Sequence, residues 1–126
     1  MAGRTDGLIK NFRATAAVAA FTIVKFGADD VSVVVSAAAA DASIGVTIEL
    51  DAAAGQRVDV AMSDIGDVRY GGNVARGDLL TSDGQGRAIT AAPGAGVVMR
   101  TIGTAMVSAV LGDIGPMMIE RGQIRG

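Results

Sequence analysis

Val68-Arg69-Tyr70-Gly71-Gly72-Asn73-Val74-Ala75-Arg76-Gly77-Asp78-Leu79-Leu80-Thr81-Ser82-Asp83-Gly84-Gln85-Gly86-Arg87-Ala88-Ile89 cuts short apolar runs at close intervals with Gly, Asn and Asp. Those are the residues that tight turns between strands require. Leu79-Leu80-Thr81 and Arg87-Ala88-Ile89-Thr90 flank Ser82-Asp83-Gly84-Gln85-Gly86, in which glycine can take the positive φ of a hairpin turn. No group in the passage exchanges protons readily near neutral pH. It builds a scaffold and shows no chemistry.

The same grammar extends upstream. Phe21-Thr22-Ile23-Val24-Lys25-Phe26 and Val31-Ser32-Val33-Val34-Val35 are rich in β-branched and aromatic residues, and Gly27-Ala28-Asp29-Asp30 supplies a turn between them. Ile44, Val46, Ile48 and Leu50 alternate with polar or small residues, as do Val58, Val60 and Met62, the period of half-buried strands. Their apolar faces are expected to share one core. Ala52-Ala53-Ala54-Gly55-Gln56 connects the two, as a hairpin-like link or a single helical turn. The fold class that follows is all-β, with at most one short helix.

Two hairpins of one plan raise the question of an internal repeat. The first leads through an alanine-rich stretch to Ile44-Gly45-Val46-Thr47, and the second through a glycine-rich stretch to Ile102-Gly103-Thr104-Ala105. Glycine-marked bends then follow at Gly55 and Gly112. A repeat of this length means stacked supersecondary units, but recurrent hairpin grammar would look the same. The ends differ from the middle. Residues 1–17 carry Leu8, Ile9 and Phe12 without a sustained period, and Arg4, Lys10 and Arg13, and are expected as an N-terminal arm ordered against something else. A single β-rich domain is expected over residues 18–120 and a polar tail over 121–126.

At 126 residues the chain is one domain, large enough for a real core. Aromatics are confined to Phe12, Phe21, Phe26 and Tyr70, so that core is aliphatic. The formal net charge of −2, with no block of basic residues and no interleaved aromatics, argues against direct nucleic-acid binding. Without Cys there are no disulfides, thiolate metal sites or cysteine nucleophiles. The apolar run from Ala14 to Val24 follows three cations as a signal peptide would, but Lys25 and Phe26 stand where small cleavage-site residues belong. It is also shorter than the ~20 residues of a membrane helix. The expectation is a soluble product of the cytoplasm, with no membrane partner.

Candidate chemistry is sparse. The chain has no His and no Cys. Asp29 with Asp30, or Asp64 with Asp67, could serve acid-base work or hold a cation, but each pair lies beside Gly in an expected turn, where Asp bonds its own backbone. Asp83-Gly84-Gln85-Gly86-Arg87 has one carboxylate where a calcium loop needs several. Gly94-Ala95-Gly96-Val97-Val98-Met99 begins like a dinucleotide fingerprint but lacks its third glycine and its preceding strand. Arg76-Gly77-Asp78 spells an adhesion tripeptide yet abuts Leu79-Leu80, as a turn entering a strand does. Met99, Met106, Met117 and Met118 are core filling or a repacking contact surface. No catalytic residue, cofactor site or metal site is assigned.

Taken in order, several elements resemble a known family: Ala19-Ala20-Phe21-Thr22-Ile23-Val24-Lys25-Phe26-Gly27, Ile44-Gly45-Val46-Thr47, Ala53-Ala54-Gly55-Gln56-Arg57-Val58-Asp59-Val60, Tyr70-Gly71-Gly72, Val74-Ala75-Arg76-Gly77-Asp78-Leu79-Leu80-Thr81-Ser82-Asp83, Gly86-Arg87-Ala88, Ile102-Gly103 and Gly112-Asp113-Ile114-Gly115. Over nearly its whole length the chain is similar to the capsid decoration (cement) proteins of tailed bacteriophages. The resemblance implies a small compact β-barrel or β-tulip-like fold with an extended N-terminal arm, no enzymatic activity and no cofactor. It implies as partner the major capsid protein, bound on the outer face of the expanded shell in the virion after synthesis in the host cytoplasm. It implies a homotrimer. Leu8, Ile9, Lys10, Phe12 and Arg13 of the arm are then the candidate capsid-binding residues. Individual pieces also occur in β-clip domains and phage fibre modules, so a small-molecule-binding barrel, a fibre-associated domain and an enzyme using Asp and Glu alone remain open.

Overall fold

Ten strands and no helix make up the described residues, 7–126, of the computed structural model. Five strands close into a barrel: β1 (Ile9–Ala14), β2 (Ile23–Phe26), β3 (Ser32–Val35), β4 (Ser43–Thr47) and β5 (Arg57–Ala61), in the order β1-β3-β2-β4-β5. The other five, β6 (Asp64–Arg69), β7 (Leu79–Ser82), β8 (Ala88–Thr90), β9 (Val98–Ala105) and β10 (Ile114–Arg125), form a second sheet ordered β6-β10-β9-β7-β8. Both expected hairpins are present, as β2–β3 and β7–β8.

Two cores result. Inside the barrel lie Phe12, Ala14, Val18, Val24, Val33, Ile44, Ala52, Val58 and Val60. A second cluster fills the space between the barrel and the other sheet, with Ile23, Val46 and Ala61 on one side and Val68, Tyr70, Leu80, Ile102 and Met117 among those on the other. Strands β2, β4 and β5 therefore bury residues on both faces, and their neighbours in sequence go to different cores: Ile23 outward and Val24 inward, Val60 inward and Ala61 outward. This corrects the expectation of one shared core. The physical reason is a bulge, for Val24 pairs with Gly45 while Lys25 pairs with Ser43, leaving Ile44 as an extra residue on β4. An extra residue reverses the alternation beyond it, so Ile44 points into the barrel and Val46 away from it. Leu50, past the end of β4, is exposed.

The repeat suspected from sequence is real in the structure. Strands β1–β5 and β6–β10 follow one plan, since β1 runs antiparallel to β5 as β6 does to β10, and β4 pairs with β5 as β9 does with β10. The correspondence reaches single hydrogen bonds. Val18 and Ala52 form an isolated two-way bridge, matched by Val74 and Ala109. The turn at Gly55 is closed by Gln56 Oε1 accepting from the Ala53 N–H, and the turn at Gly112 by Asp113 Oδ2 accepting from the Val110 N–H. Those two glycines have φ of 85° and 90°, which explains why a glycine marks the bend in both halves.

Three expectations change. Residues 9–14 are not a separate arm: β1 lies between β3 and β5, pairs with β5 from Ile9 to Arg13, and inserts Phe12 into the barrel core. Its inward partner is the small Ala14, so β1 carries too little apolar signal to be seen as a period. Residues 1–6 of the expected arm lie outside the described residues. Residues 121–125 are not a free tail, because β10 continues through them against β9. Asp64 and Asp67 stand on strand β6 and not in a turn. Gly66 between them disguises the strand, and packing demands it: a Cβ there would sit 3.0 Å from Val46 Cγ1 and 3.1 Å from Ile119 Cδ1.

Candidate functional site

Several carboxylates are committed to the chain's own turns, whereas Asp64 and Asp67 stand on β6. Asp41 Oδ2 accepts from Lys25 Nζ at 2.9 Å and from the N–H groups of Ala37 and Ala38, and the lysine and the Ala37 N–H hold its pKa below the usual carboxylate range. Asp29 is likewise lowered, by hydrogen bonds from Ser32 and the Val31 N–H. Asp83 accepts from Arg87 Nε at 2.7 Å and from the N–H groups of Gln85 and Arg87, closing the β7–β8 turn. Asp78, the acid of the Arg-Gly-Asp tripeptide, accepts from the Ala75 N–H and from Thr90 Oγ1, so it serves its own turn. Among the described residues no three acidic side chains gather where a metal could be held, and no helix is long and apolar enough to cross a membrane.

Among the described residues Tyr70 is the one strongly perturbed group. It is fully buried in the second core, its hydroxyl donates to the Pro116 carbonyl at 3.0 Å, and burial, with the Asp67 charge, pushes its pKa up to about 12. A phenol held neutral and bonded to a backbone carbonyl is a structural post. It takes the place that Ala14 has in the first half, for both receive the same pair of backbone bonds from the turn beyond: Ala14 with Gln56 and Gly55, Tyr70 with Asp113 and Gly112.

What the surface offers is contact area. Of the five residues expected to bind a capsid, Leu8, Ile9, Lys10 and Arg13 are exposed. Phe12 is not available: it is 1% exposed, its ring meets that of Phe26 edge-on at 5.9 Å, and Lys10 Nζ lies 5.6 Å from its centroid. A cleft of about 610 Å³ lies between the barrel and the far ends of β9 and β10, lined by the apolar Phe26, Ile44, Met62 and Ile119 and by the polar Arg100, Glu120, Arg121 and Gln123. At the turn between β9 and β10, Val110 and Leu111 stand exposed where the first half has Ala53 and Ala54. Sequence reasoning missed the cleft because its wall is a strand of Glu, Arg, Gly and Gln that reads as a polar tail. Of the methionines, Met117 is core and Met118 is largely exposed.

A duplicated β scaffold, with carboxylates tied into turns and exposed apolar tips, defines a structural protein that works through its surface. The chain belongs to the phage cement protein family, whose profile matches residues 4–114. In fold it is similar to the N base of the head fibre gp8.5 of bacteriophage phi29, at 20% identity and a TM-score of 0.65, over 94% of this chain and 98% of that one. No curated protein matches the sequence. It is thus a structural protein of a phage, associated with the capsid.

Proposed function

We propose that this protein binds the outer surface of the expanded capsid, with the major capsid protein as its partner, and stabilises the shell against the pressure of packed DNA. The observation that carries the reading is the family membership, joined to a fold that spends its polar groups on its own turns. A ligand that binds only the mature lattice stabilises it by mass action, and many modest contacts repeated over a shell sum to high avidity. Catalysis is not needed for this. The barrel interior holds Phe12, Val24, Val33 and Val60, each at most 1% exposed, and this apolar packing argues against the small-molecule-binding alternative.

Two finer points belong to the proposal. The exposed residues Leu8, Ile9, Lys10 and Arg13 contribute to the capsid contact, Ile9 and Arg13 from the outer side of β1, Lys10 from the barrel end beside Phe12 and Leu8 from the segment entering β1. The assembled form is a homotrimer, in solution or on the shell, because three subunits around an axis cover edges that one sheet leaves open. The test is occupancy of purified shells: saturable binding to expanded shells and none to unexpanded ones is expected. Equal binding to both, or to neither, would contradict the reading. Sedimentation at graded concentrations, with subunit counts on particles, checks the trimer.

A further inference from the structure

The two halves differ most after Ile119. In the first, β5 ends at Ala61 and β1 covers its outer edge along its whole length. In the second, β6 covers β10 only from Ile114 to Ile119, after which β10 passes a bulge and runs on to Arg125 against residues 98–101 of β9. Gly126 donates to the Val97 carbonyl and accepts from the Gly96 N–H, so it faces β9. The alternation of an antiparallel pair then turns the backbone groups of Gly122 and Ile124 toward β9 and those of Gln123 and Arg125 outward. On the opposite edge, Arg100, paired with Gln123, has both its outward groups satisfied: its N–H donates to the Ala39 carbonyl at 2.8 Å and its carbonyl accepts from Thr81 Oγ1 at 2.7 Å. No described residue does this for Gln123 or Arg125.

A two-stranded ribbon is marginal on its own, and an edge of unpaired N–H and C=O groups is a template for a further strand. The ribbon also has a sign. By the same register Arg100, Gln123 and Arg125 share one face, Arg121 in the bulge lines the same cleft as Arg100 and Gln123, and among the described residues none of the three guanidinium groups has a hydrogen-bond or ion-pair partner. Glu120 is the lone carboxylate of that stretch. Beside this edge lies the cleft lined in part by Phe26, Ile44 and Met62.

We propose that the outer edge of β10 at residues 121–125 takes up an extended segment of the capsid subunit as a third strand. Carboxylates of the segment face Arg100, Arg121 and Arg125, and its apolar side chains enter the cleft. Main-chain hydrogen bonds supply affinity in this mode, and alternate side chains supply selectivity. The inference rests on the capsid-binding reading above. A second copy of the ribbon is a poor occupant, since pairing it with itself would set arginine against arginine.

The test uses the full chain and undecorated expanded shells. Gln123→Pro deletes one outward N–H at an edge position where proline is tolerated, and Arg121→Glu combined with Arg125→Glu reverses the charge. The expected result is that each variant melts with the parent but binds shells at least about tenfold more weakly, and that the Gln123 and Arg125 amides of the parent exchange slowly only when bound. Parent protein that does not bind shells at all would overturn the capsid reading itself. Parent protein that binds, with unimpaired variants and unchanged amide exchange, would overturn the ribbon proposal alone. Should Gln123→Pro fail to fold, the charge reversal and the parent's amide exchange decide. Protection of the two amides in the free protein that grows with concentration would assign the edge to a second copy and also overturn the proposal.

Discussion

The first half of this chain is a closed barrel and the second is the same plan left nearly open. In the first, β1 and β3 join in parallel through two paired positions, Arg13 with Ser32 and Ala14 with Val33. In the second, the corresponding closure shrinks to a single bridge between Tyr70 and Ala88. The first half fills part of the gap, because Phe21 O accepts from the Arg69 N–H and the Ile23 N–H donates to the Gly86 carbonyl. A small seam residue lets the barrel shut, whereas a tyrosine props the second sheet apart and lets β2, β4 and β5 pack against it. The difference teaches how one duplicated unit yields both a self-contained scaffold and a sheet with edges to spare.

The comparison breaks most visibly at one matched pair of buried residues, on β5 and on β10. Val60 is fully buried in the barrel, and Met117 holds the corresponding register position in the second sheet, also fully buried. Val60→Asp or Met117→Asp puts an unpaired carboxylate in a core, at a cost of several kcal/mol that approaches the whole stability of a small domain. Neither variant should yield soluble folded protein. A Val60→Asp variant that melts within a degree or two of the parent would refute the barrel register.

Next in size are the paired glycines. A Cβ on Gly45 would collide with the Ala61 carbonyl, and one on Gly103 with the Met118 carbonyl. Gly45→Ala and Gly103→Ala should each cost roughly 1–3 kcal/mol through forced backbone shifts. Similar losses of midpoint in urea would support equivalent halves, and a large loss in one with none in the other would separate them.

Tyr70 sharpens the contrast further, since Ala14 has no titrating group. Its folded pKa of about 12 lies above the ordinary value of 10.0, so its contribution is complete below pH 10 and is lost as pH rises from 10 toward 12. The slope there is about 1.4 kcal/mol per pH unit. Tyr70→Phe should abolish this slope while costing only about 0.5–1.5 kcal/mol at neutral pH, because the Pro116 carbonyl loses the phenol but keeps the Met106 N–H. Melting curves between pH 8 and 12 would show both effects. The smallest effect concerns the alanine-rich link that follows the first hairpin: Asp41→Ala removes the bonds to Ala37, Ala38 and Lys25 and should cost about 1 kcal/mol. Because the folded pKa of Asp41 is lowered, that contribution is present above the ordinary carboxylate pKa and disappears on acidification. The gap between the variant and the parent should therefore narrow as pH falls through the lowered folded pKa of Asp41.

Much of this architecture was legible before the structure. The β-branched runs at residues 21–26 and 31–35 and the glycine turn before Arg87 gave both hairpins, and Ile44-Gly45 with Ile102-Gly103 gave the repeat. What stayed hidden has common physical causes. β1 buries Phe12 and Ala14 alone, too few apolar residues to set a period. β6 reads as a turn because its Gly66 answers to packing from Val46 and Ile119, side chains distant in sequence. Residues 121–125 look like a tail because an exposed ribbon has no face to bury. Of the candidate capsid-binding residues, Leu8, Ile9, Lys10 and Arg13 are exposed, while the burial of Phe12 was not legible because burial inside a closed barrel depends on neighbours on both sides.

The central claim is that this chain reinforces a phage head by binding its surface, and the temperature at which DNA-filled heads rupture measures that directly. Heads stripped of the protein and then reloaded with it should release their DNA at a distinctly higher temperature than stripped heads, with the increase following occupancy until the sites are full. Saturated heads that rupture at the same temperature as bare ones would contradict the account.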